Sequence, residues 1–412
     1  MGVSAGYKWW LVAMLWWIAV FNYADRQAVF SLFPLLQHEF HLSQFELGLL
    51  GSSFAWTYGL CSPLAGLLVD RIRRKTAILG GLQVWSLICM ATALSRGLGS
   101  LIFFRAAEGL GETLYFPASV ALLSDYHGPA TRSRALGLHQ TSVYAGTITG
   151  GACAALIAQR YGWRWPFVVF GALGMLLGLV LNRFLIEPKR GAAENAPART
   201  ERIPFLDFLK ILRDTPSAIT LMAAFVCANF VAIVLLSWMP QFLYDKFHVK
   251  LALAGLAATI FVQLASMAGA PFGGWLADAA RKRSPGGRMA VQAIGVFGGA
   301  PFVLMCGMTG SAAWMIVALI AWGWFKGLYD ANIFASMFDV IRPEARGTAA
   351  GFMNMAGWLG GGSAPVVIGF IADRRSLSLA ISLTAAMYVM AGALLVAGIV
   401  KFAARDVARV EA

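Results

Sequence analysis

The chain has 412 residues, 59% of them hydrophobic and 13% charged, with a mean hydropathy of +0.68. A soluble domain carries about 25% charged residues, so this composition excludes one and indicates an integral membrane protein. The formal net charge of +13 would suit nucleic acid in a soluble chain; here loop topology accounts for it, and no nucleic-acid partner is expected.

Apolar runs fall at about 9–33, 46–69, 76–95, 99–124, 133–157 and 164–186. Beyond a polar stretch they resume at about 217–244, 252–277, 290–309, 312–338, 347–372 and 377–401. Each run is continuous and about 20 residues or longer, which predicts helices and not the ten-residue alternation of a barrel. The expected fold is all-α, with twelve transmembrane helices. Met1 to Lys8 lacks the marks of a cleaved signal, so the first run is read as a retained helix.

That first run contains Phe21-Asn22-Tyr23-Ala24-Asp25-Arg26-Gln27. A charge at the centre of a membrane helix costs roughly 2.5–3.5 kcal/mol on insertion scales. Neighbours on a helix do not face each other, so Asp25 and Arg26 each need a partner elsewhere, or a ligand. The second run ends in Gly66-x-x-x-Asp70-Arg71-Ile72-Arg73-Arg74-Lys75. The fourth reads Phe104-Arg105-Ala-Ala-Glu108-Gly109-Leu-Gly111-Glu112-Thr-Leu-Tyr115-Phe116-Pro117-Ala118. Arg105, Glu108 and Glu112 share one helical face, with Glu112 near mid-membrane and Arg105 about 10 Å further out. The fifth carries Gly146-Thr-Ile-Thr-Gly150-Gly151, a small-residue face for close helix packing.

The polar stretch 187–216 divides the spans six and six, giving an N-terminal half at 1–186 and a C-terminal half at 217–412. Its first part reads as a flexible linker. Its second, Phe205 to Arg213, reads as an amphipathic helix along the membrane surface. In the tenth run Lys326 and Asp330 form an i, i+4 pair near mid-membrane.

Seven ionisable groups in apolar runs would cost roughly 18–25 kcal/mol unpaired, so they must pair around a hydrated cavity or brace the fold as salt bridges. Asn22, Tyr23, Tyr115, Tyr144, Asn229, Gln263, Asn332 and Asn354 either read substrate hydroxyls or hold helices together. Trp238, Trp322, Trp324 and Trp358 either line the cavity or serve as packing and interfacial anchors. His139 is read as gate structure, and His38, His41, His127 and His248 as loop residues. Cys61, Cys89, Cys153, Cys227 and Cys306 lack metal-ligand spacing and are read as ordinary buried thiols, so no metal is expected. No H-E-x-x-H, G-x-S-x-G or Cys/His cluster marks an enzyme.

Lysine and arginine settle the expected orientation. One side collects Lys8, the Arg71–Lys75 cluster, Arg132, Arg134, Arg183, the central loop, Arg281–Arg283, Arg288, Arg342, Arg346 and the basic tail. The other holds only Arg96, Arg160, Arg164, Lys246, Lys250, Arg374 and Arg375, which places both termini in the cytoplasm of an inner-membrane protein.

Internal repeats are also legible. Gly66-x-x-x-Asp70 recurs as Gly274-x-x-x-Asp278, followed by Arg281-Lys282-Arg283; Pro129-Ala-Thr-Arg132 recurs as Pro343-Glu-Ala-Arg346. Two parallel six-helix halves of this kind resemble the major facilitator transporters. The Gly66…Lys75 stretch resembles that family's loop between helices two and three, with Arg73 where the family has glycine. The resemblance implies that Asp70 and Asp278 latch a cytoplasmic gate, in company with Arg71, Arg74, Lys75, Arg281, Arg132 and Arg346. It also implies a monomer. Asn22-Tyr23-x-Asp25-Arg26 with Gly109-x-x-Glu112…Phe116-Pro117-Ala118 resembles the anion:cation symporter branch, which takes up organic anions such as hexuronates and aldonates with protons. The helix-one signature is shared with spinster-type carriers of lysolipids; Phe-Pro-Ala favours the symporters. Lys326 and Asp330 match neither pattern.

The expected activity is proton-coupled uptake of a sugar acid. The alternatives are a spinster-like lysolipid carrier or a multidrug/proton antiporter. Buried carboxylates short of countercharge can exchange protons near neutrality. Asp25 and Glu112 are expected to carry the proton, and Arg26 to receive the substrate carboxylate. Asn22, Tyr23, Arg105, Glu108, Tyr115, Lys326, Asp330, Asn332 and Asn354 are the further binding candidates. No cofactor is expected beyond the coupling proton.

Overall fold

The computed structural model describes residues 6–69, 71–127, 129–188, 205–342 and 345–411. Asp70 and the linker residues 189–204 lie outside them. Among the described residues there is no strand, and the helices form twelve long rods at the predicted spans. Eight of these segments are long and apolar enough by themselves to cross a membrane. The chain divides into two compact units, Met1–Arg199 with Leu243–Leu256, and Thr200–Phe242 with Ala257–Ala412.

The first unit runs through α1 (Tyr7–Ser31), α2 (Phe33–Phe40), α3 (Gln44–Val69), α4 (Arg74–Thr92), α5 (Leu98–Glu112), α6 (Tyr115–Tyr126), α7 (Pro129–Tyr161) and α8 (Arg164–Phe184). Its core is built from Leu11, Leu15, Ile18, Leu82, Trp85, Leu122 and Leu123, all fully buried. Large apolar residues such as Leu64, Leu94 and Phe103 stand exposed instead. That is the reverse of a soluble surface and suits a lipid surround. Two rods of this unit are broken. Pro34 sits in the first turn of α2. Pro117, in the first turn of α6, has no N–H to donate to the Thr113 carbonyl, and there α5 separates from α6. Glu112 is thereby the last residue of α5.

The second unit holds α9 (Phe205–Asp214), most of α10 (Pro216–Phe247) and α11 (Leu251–Arg281), and then α12 (Gly287–Met308), α13 (Ala312–Asp330), α14 (Ile333–Val340), α15 (Arg346–Gly362) and α16 (Ala364–Arg374). It ends with α17 (Leu377–Leu383), α18 (Ala385–Gly398), a π-turn (Ile399–Ala403) and α19 (Ala404–Glu411). The predicted amphipathic helix is α9, where buried Phe208 packs at a tilt against Phe352 of α15 with ring centroids 4.8 Å apart. The break between α13 and α14 again follows an acid, Asp330.

Glycines set how closely the rods approach. A Cβ on Gly150 of α7 would stand 2.4 Å from the Cα of Ala24, and one on Gly146 would stand 2.6 Å from the carbonyl of Val20. The small-residue face of α7 therefore seats α1. On α5, a Cβ on Gly109 would lie 2.6 Å from the Phe54 carbonyl of α3, and one on Gly111 would lie 3.2 Å from Cβ of Trp85 on α4. Both charge-bearing helices are thus held backbone to backbone. Gly150→Val forces α1 away and is expected to cost about 1–3 kcal/mol from overpacking, read as a lower melting temperature of the purified protein.

Candidate functional site

Five ionisable side chains meet inside the first unit. Asp25 and Arg26 come from α1, and Arg105, Glu108 and Glu112 from α5; their exposures are 1%, 7%, 1%, 1% and 0%. The Arg26 guanidinium donates through Nε to Glu112 Oε2. Arg105 donates to Glu108 at 2.6 Å, one turn back along the same face. Arg26 is also enclosed by aromatic rings, with its central carbon 4.7 Å from Tyr23, 5.1 Å from Phe54 and 4.6 Å from Tyr58. Phe54 serves Arg105 as well, at 4.8 Å. Cation–π contact in a desolvated setting is worth about 2 kcal/mol or more, which fixes both cations without discharging them.

Asp25 is the odd acid. It faces the Cys89 thiol, and neither of its oxygens has a well-formed hydrogen bond among the described residues; Glu108 Oε1, Glu112 Oε1 and Asn22 Nδ2 are also unmet. A carboxylate oxygen of Asp25, one of Glu108 and the Cys89 sulfur all lie within 4.8 Å of one another. Cys89 was not legible as part of a site, because an isolated cysteine in an apolar run carries no signal. Phe54 and Tyr58 on α3 were also missed, since aromatic residues in membrane helices are ordinary. Cys89, Cys227 and Cys306 are buried as expected, whereas Cys61 is half-buried and Cys153 is exposed.

Other predicted residues are occupied with the fold. The Tyr115 hydroxyl donates to the Leu15 carbonyl at 2.7 Å and lies 2.9 Å from Nε2 of His139. Asn332 donates to the carbonyls of Gly273 and Leu328, and Asn229 to that of Gly357 at 2.8 Å. These bonds are of the kind that brace helices. Trp238 and Trp322 are fully buried, and their indoles bond the Pro365 carbonyl and the Tyr388 hydroxyl. In the second unit Lys326 is paired with Asp330, as the spacing predicts, and Asn354 is half-buried.

The gate candidates form one arrangement that occurs twice. In the first unit Arg74 pairs with Asp125 of α6, and Arg132 of α7 donates to the carbonyls of His127 (3.2 Å) and Ser124 (3.4 Å). In the second, Arg288 pairs with Asp339 of α14 at 2.7 Å, and Arg346 of α15 donates to the carbonyls of Ile341 (3.3 Å) and Phe338 (2.9 Å). Each of these residues stands 214 positions after its counterpart. Both arginines strap the open carbonyl end of a short helix, where a cation is favoured. Arg281 adds a second contact to Asp339 at 3.3 Å, and Arg288 reaches Asp278 at 2.8 Å. Arg71 is exposed, and Lys75 bonds the Asn182 carbonyl at 2.6 Å.

Asp125, Asp339 and Arg288 were not singled out from the sequence, although their common offset could have disclosed them. Glu187, read as the first residue of the linker, accepts from the backbone N–H groups of Arg74 (2.8 Å) and Lys75 (2.6 Å) and caps α4. Arg74→Gln is expected to lower stability by about 1.5–3 kcal/mol, measured by thermal unfolding, because it removes a charged hydrogen bond at a partly buried site.

His127 lies in the turn between α6 and α7, as expected, whereas His38 does not lie in a loop. His127 is fully buried at the end of α6, 3.0 Å from the Lys8 carbonyl and 3.1 Å from the Thr131 hydroxyl. Burial pushes its imidazole below the ordinary value, which keeps it neutral at pH 7. His38 lies within α2, and His41 caps it in the left-handed conformation. Beside His38, the Arg164 guanidinium holds the Glu39 carboxyl below the usual range.

Twelve long rods, eight of them apolar enough by themselves to cross a membrane, with buried charges held in pairs and a strapped helix end repeated in both units, have the build of a membrane transporter. The chain belongs to the Major Facilitator Superfamily, whose profile matches residues 15–365 and again 239–411. It is 25% identical over 375 residues to the hexuronate transporter of Bacillus subtilis (strain 168), spanning 88% of each chain. It is 24% identical over 400 residues to the probable galactarate/D-glucarate transporter of the same organism, covering 90% of this chain and 87% of that one. It is also 27% identical over 379 residues to protein spinster of Drosophila melanogaster, covering 89% of this chain and 62% of that one. The fold matches the crystal structure of a bacterial homolog of the human lysosomal transporter Spinster with a TM-score of 0.86, at 19% identity over 98% of this chain and 99% of that one.

Proposed function

We propose that this transporter takes up a small organic anion, a sugar acid of the hexuronate or aldonate type, together with protons. It does so by alternating access, as a monomer in the inner membrane with both termini in the cytoplasm. The observation that carries the reading is the Arg26–Glu112 pair inside its aromatic enclosure, next to an unmet acid. A guanidinium offers a planar fork that matches a carboxylate, and it remains charged in any setting a protein provides. Glu112 competes with the substrate for that fork. When Glu112 takes a proton, Arg26 is released to the anion; when the proton leaves, Glu112 reclaims Arg26 and the anion is expelled. Asp25 is the second proton site. Asn22 and Tyr23 stand beside them to read hydroxyls, and Lys326, paired with Asp330 within the second unit, is a further binding candidate. The basic residues collected on one side support the orientation, and the hexuronate and glucarate transporters among the relatives support the substrate class.

A second reading, a spinster-like carrier of an amphiphilic lysolipid, is favoured by the likeness to Drosophila spinster. Uptake into proteoliposomes under an imposed pH gradient separates the two. Glucuronate and glucarate are expected to accumulate and lysophospholipid is not; lysolipid transport without sugar-acid transport would sink the first reading. In the same assay Glu112→Gln, which imitates the protonated acid, is expected to exchange substrate but not to concentrate it. Intact accumulation would remove Glu112 from the proton path.

A further inference from the structure

Three buried acids, Asp25, Glu108 and Glu112, face two buried bases, Arg26 and Arg105. Glu112 is taken by Arg26 and Glu108 by Arg105, so one negative charge is left over. A net charge in a medium of low dielectric is neutralised by protonation wherever an acid is at hand. Among the described residues of this unit, the other groups packed there supply no countercharge. Cys89 on α4 is a thiol, Tyr23 and Tyr58 are phenols against Arg26, and Tyr115 on α6 and His139 on α7 are engaged with each other. Arg132, Arg134 and Arg160 lie toward the ends of α7.

We infer that Asp25 and Glu108 hold one proton in common, and that Glu108 relays it to Glu112. Both oxygens of Asp25 and Oε1 of Glu108 are buried and unmet, and the two carboxylates approach within 4.8 Å beside the Cys89 sulfur. Glu108 and Glu112 are four residues apart on α5, one turn of a helix, so their side chains are neighbours on one face. Resting on the proposed symport, the step runs as follows. An O–H bond breaks on the Asp25–Glu108 pair and one forms on Glu112, which frees Arg26 for the incoming carboxylate. The pair then refills with a proton from water. Glu108, first read as a binding candidate, becomes a positioning residue for the proton.

Infrared difference spectroscopy of the purified, substrate-free protein at neutral pH tests this without any transport. One protonated-carboxyl band is expected, lost in Glu108→Gln and in Asp25→Asn and kept in Asp330→Asn. Arg105→Gln, which leaves a second negative charge, should double its intensity. A wild-type protein lacking the band, or a band that survives Glu108→Gln, overturns the inference. In proteoliposomes Glu108→Gln is expected to cut gradient-driven glucuronate uptake at least tenfold and to shift its pH profile toward acid, and Glu108→Asp to restore part of both. Uptake that keeps the wild-type pH profile in Glu108→Gln also overturns it. If wild-type protein shows the band but no gradient-driven uptake, the proposed symport fails while the shared proton stands.

Discussion

Arg26→Lys is expected to weaken sugar-acid binding by a hundredfold or more while leaving the protein folded. Lysine keeps the charge but presents a compact ammonium in place of a planar fork, and it cannot lie against Tyr23, Phe54 and Tyr58 while reaching Glu112. Arg26→Ala goes further, because Glu112 is left as a fully buried acid without its base. Breaking a buried pair from one side costs about 3–5 kcal/mol, and 1.4 kcal/mol is a factor of ten in an equilibrium constant. The double variant Arg26→Ala with Glu112→Gln should regain most of that stability and none of the binding. Thermal unfolding and equilibrium binding of glucuronate, measured on all three, check the scheme. Recovery of binding in the double variant would show that the anion is received elsewhere.

Asp25→Asn is expected to abolish accumulation against a gradient while exchange of substrate across the membrane continues. Symport of one proton, with the membrane potential clamped to zero, concentrates substrate tenfold for each unit of pH difference, since one pH unit is about 1.36 kcal/mol. The asparagine variant should give no dependence on the gradient, because the excess acid that takes up the proton is gone. Exchange needs no net release of the proton and so reports that the variant is folded and binds. A tenfold ratio per pH unit in Asp25→Asn would dismiss Asp25 from the coupling path.

Much of this architecture is legible in the sequence, for physical reasons that can be named. A membrane helix must satisfy its own backbone and cover its own length in apolar residues, so the twelve spans are written locally. The pairs Arg105–Glu108 and Lys326–Asp330 are local too, since helical pitch places residues three and four apart on one face. The repeat of Arg132 as Arg346 is visible as a motif, and both do the same work on the carbonyl end of a short helix.

Other features depend on how each rod is turned about its axis, which no local pattern specifies. Periodicity shows that Asp25 and Arg26 point in different directions, but not which one meets Glu112. The answer comes from the glycines that let backbones touch: Gly146 and Gly150 seat α1 on α7, and Gly109 seats α5 on α3. That seating brings Phe54 and Tyr58 against Arg26 and leaves Asp25 facing Glu108 and Cys89. The partners of Arg74 and Arg288 likewise lie some 50 residues along the chain, at Asp125 and Asp339, a distance over which loops set no register.

The amino-acid sequence by itself determined the class of protein, the number of spans and the buried ionisable residues, because membrane solvation acts on each helix separately. The tertiary structure alone decided which acid is neutralised by a base and which is left over. Pairing depends on the azimuth and depth at which helices pack, and here that is governed by backbone contact at a few glycines.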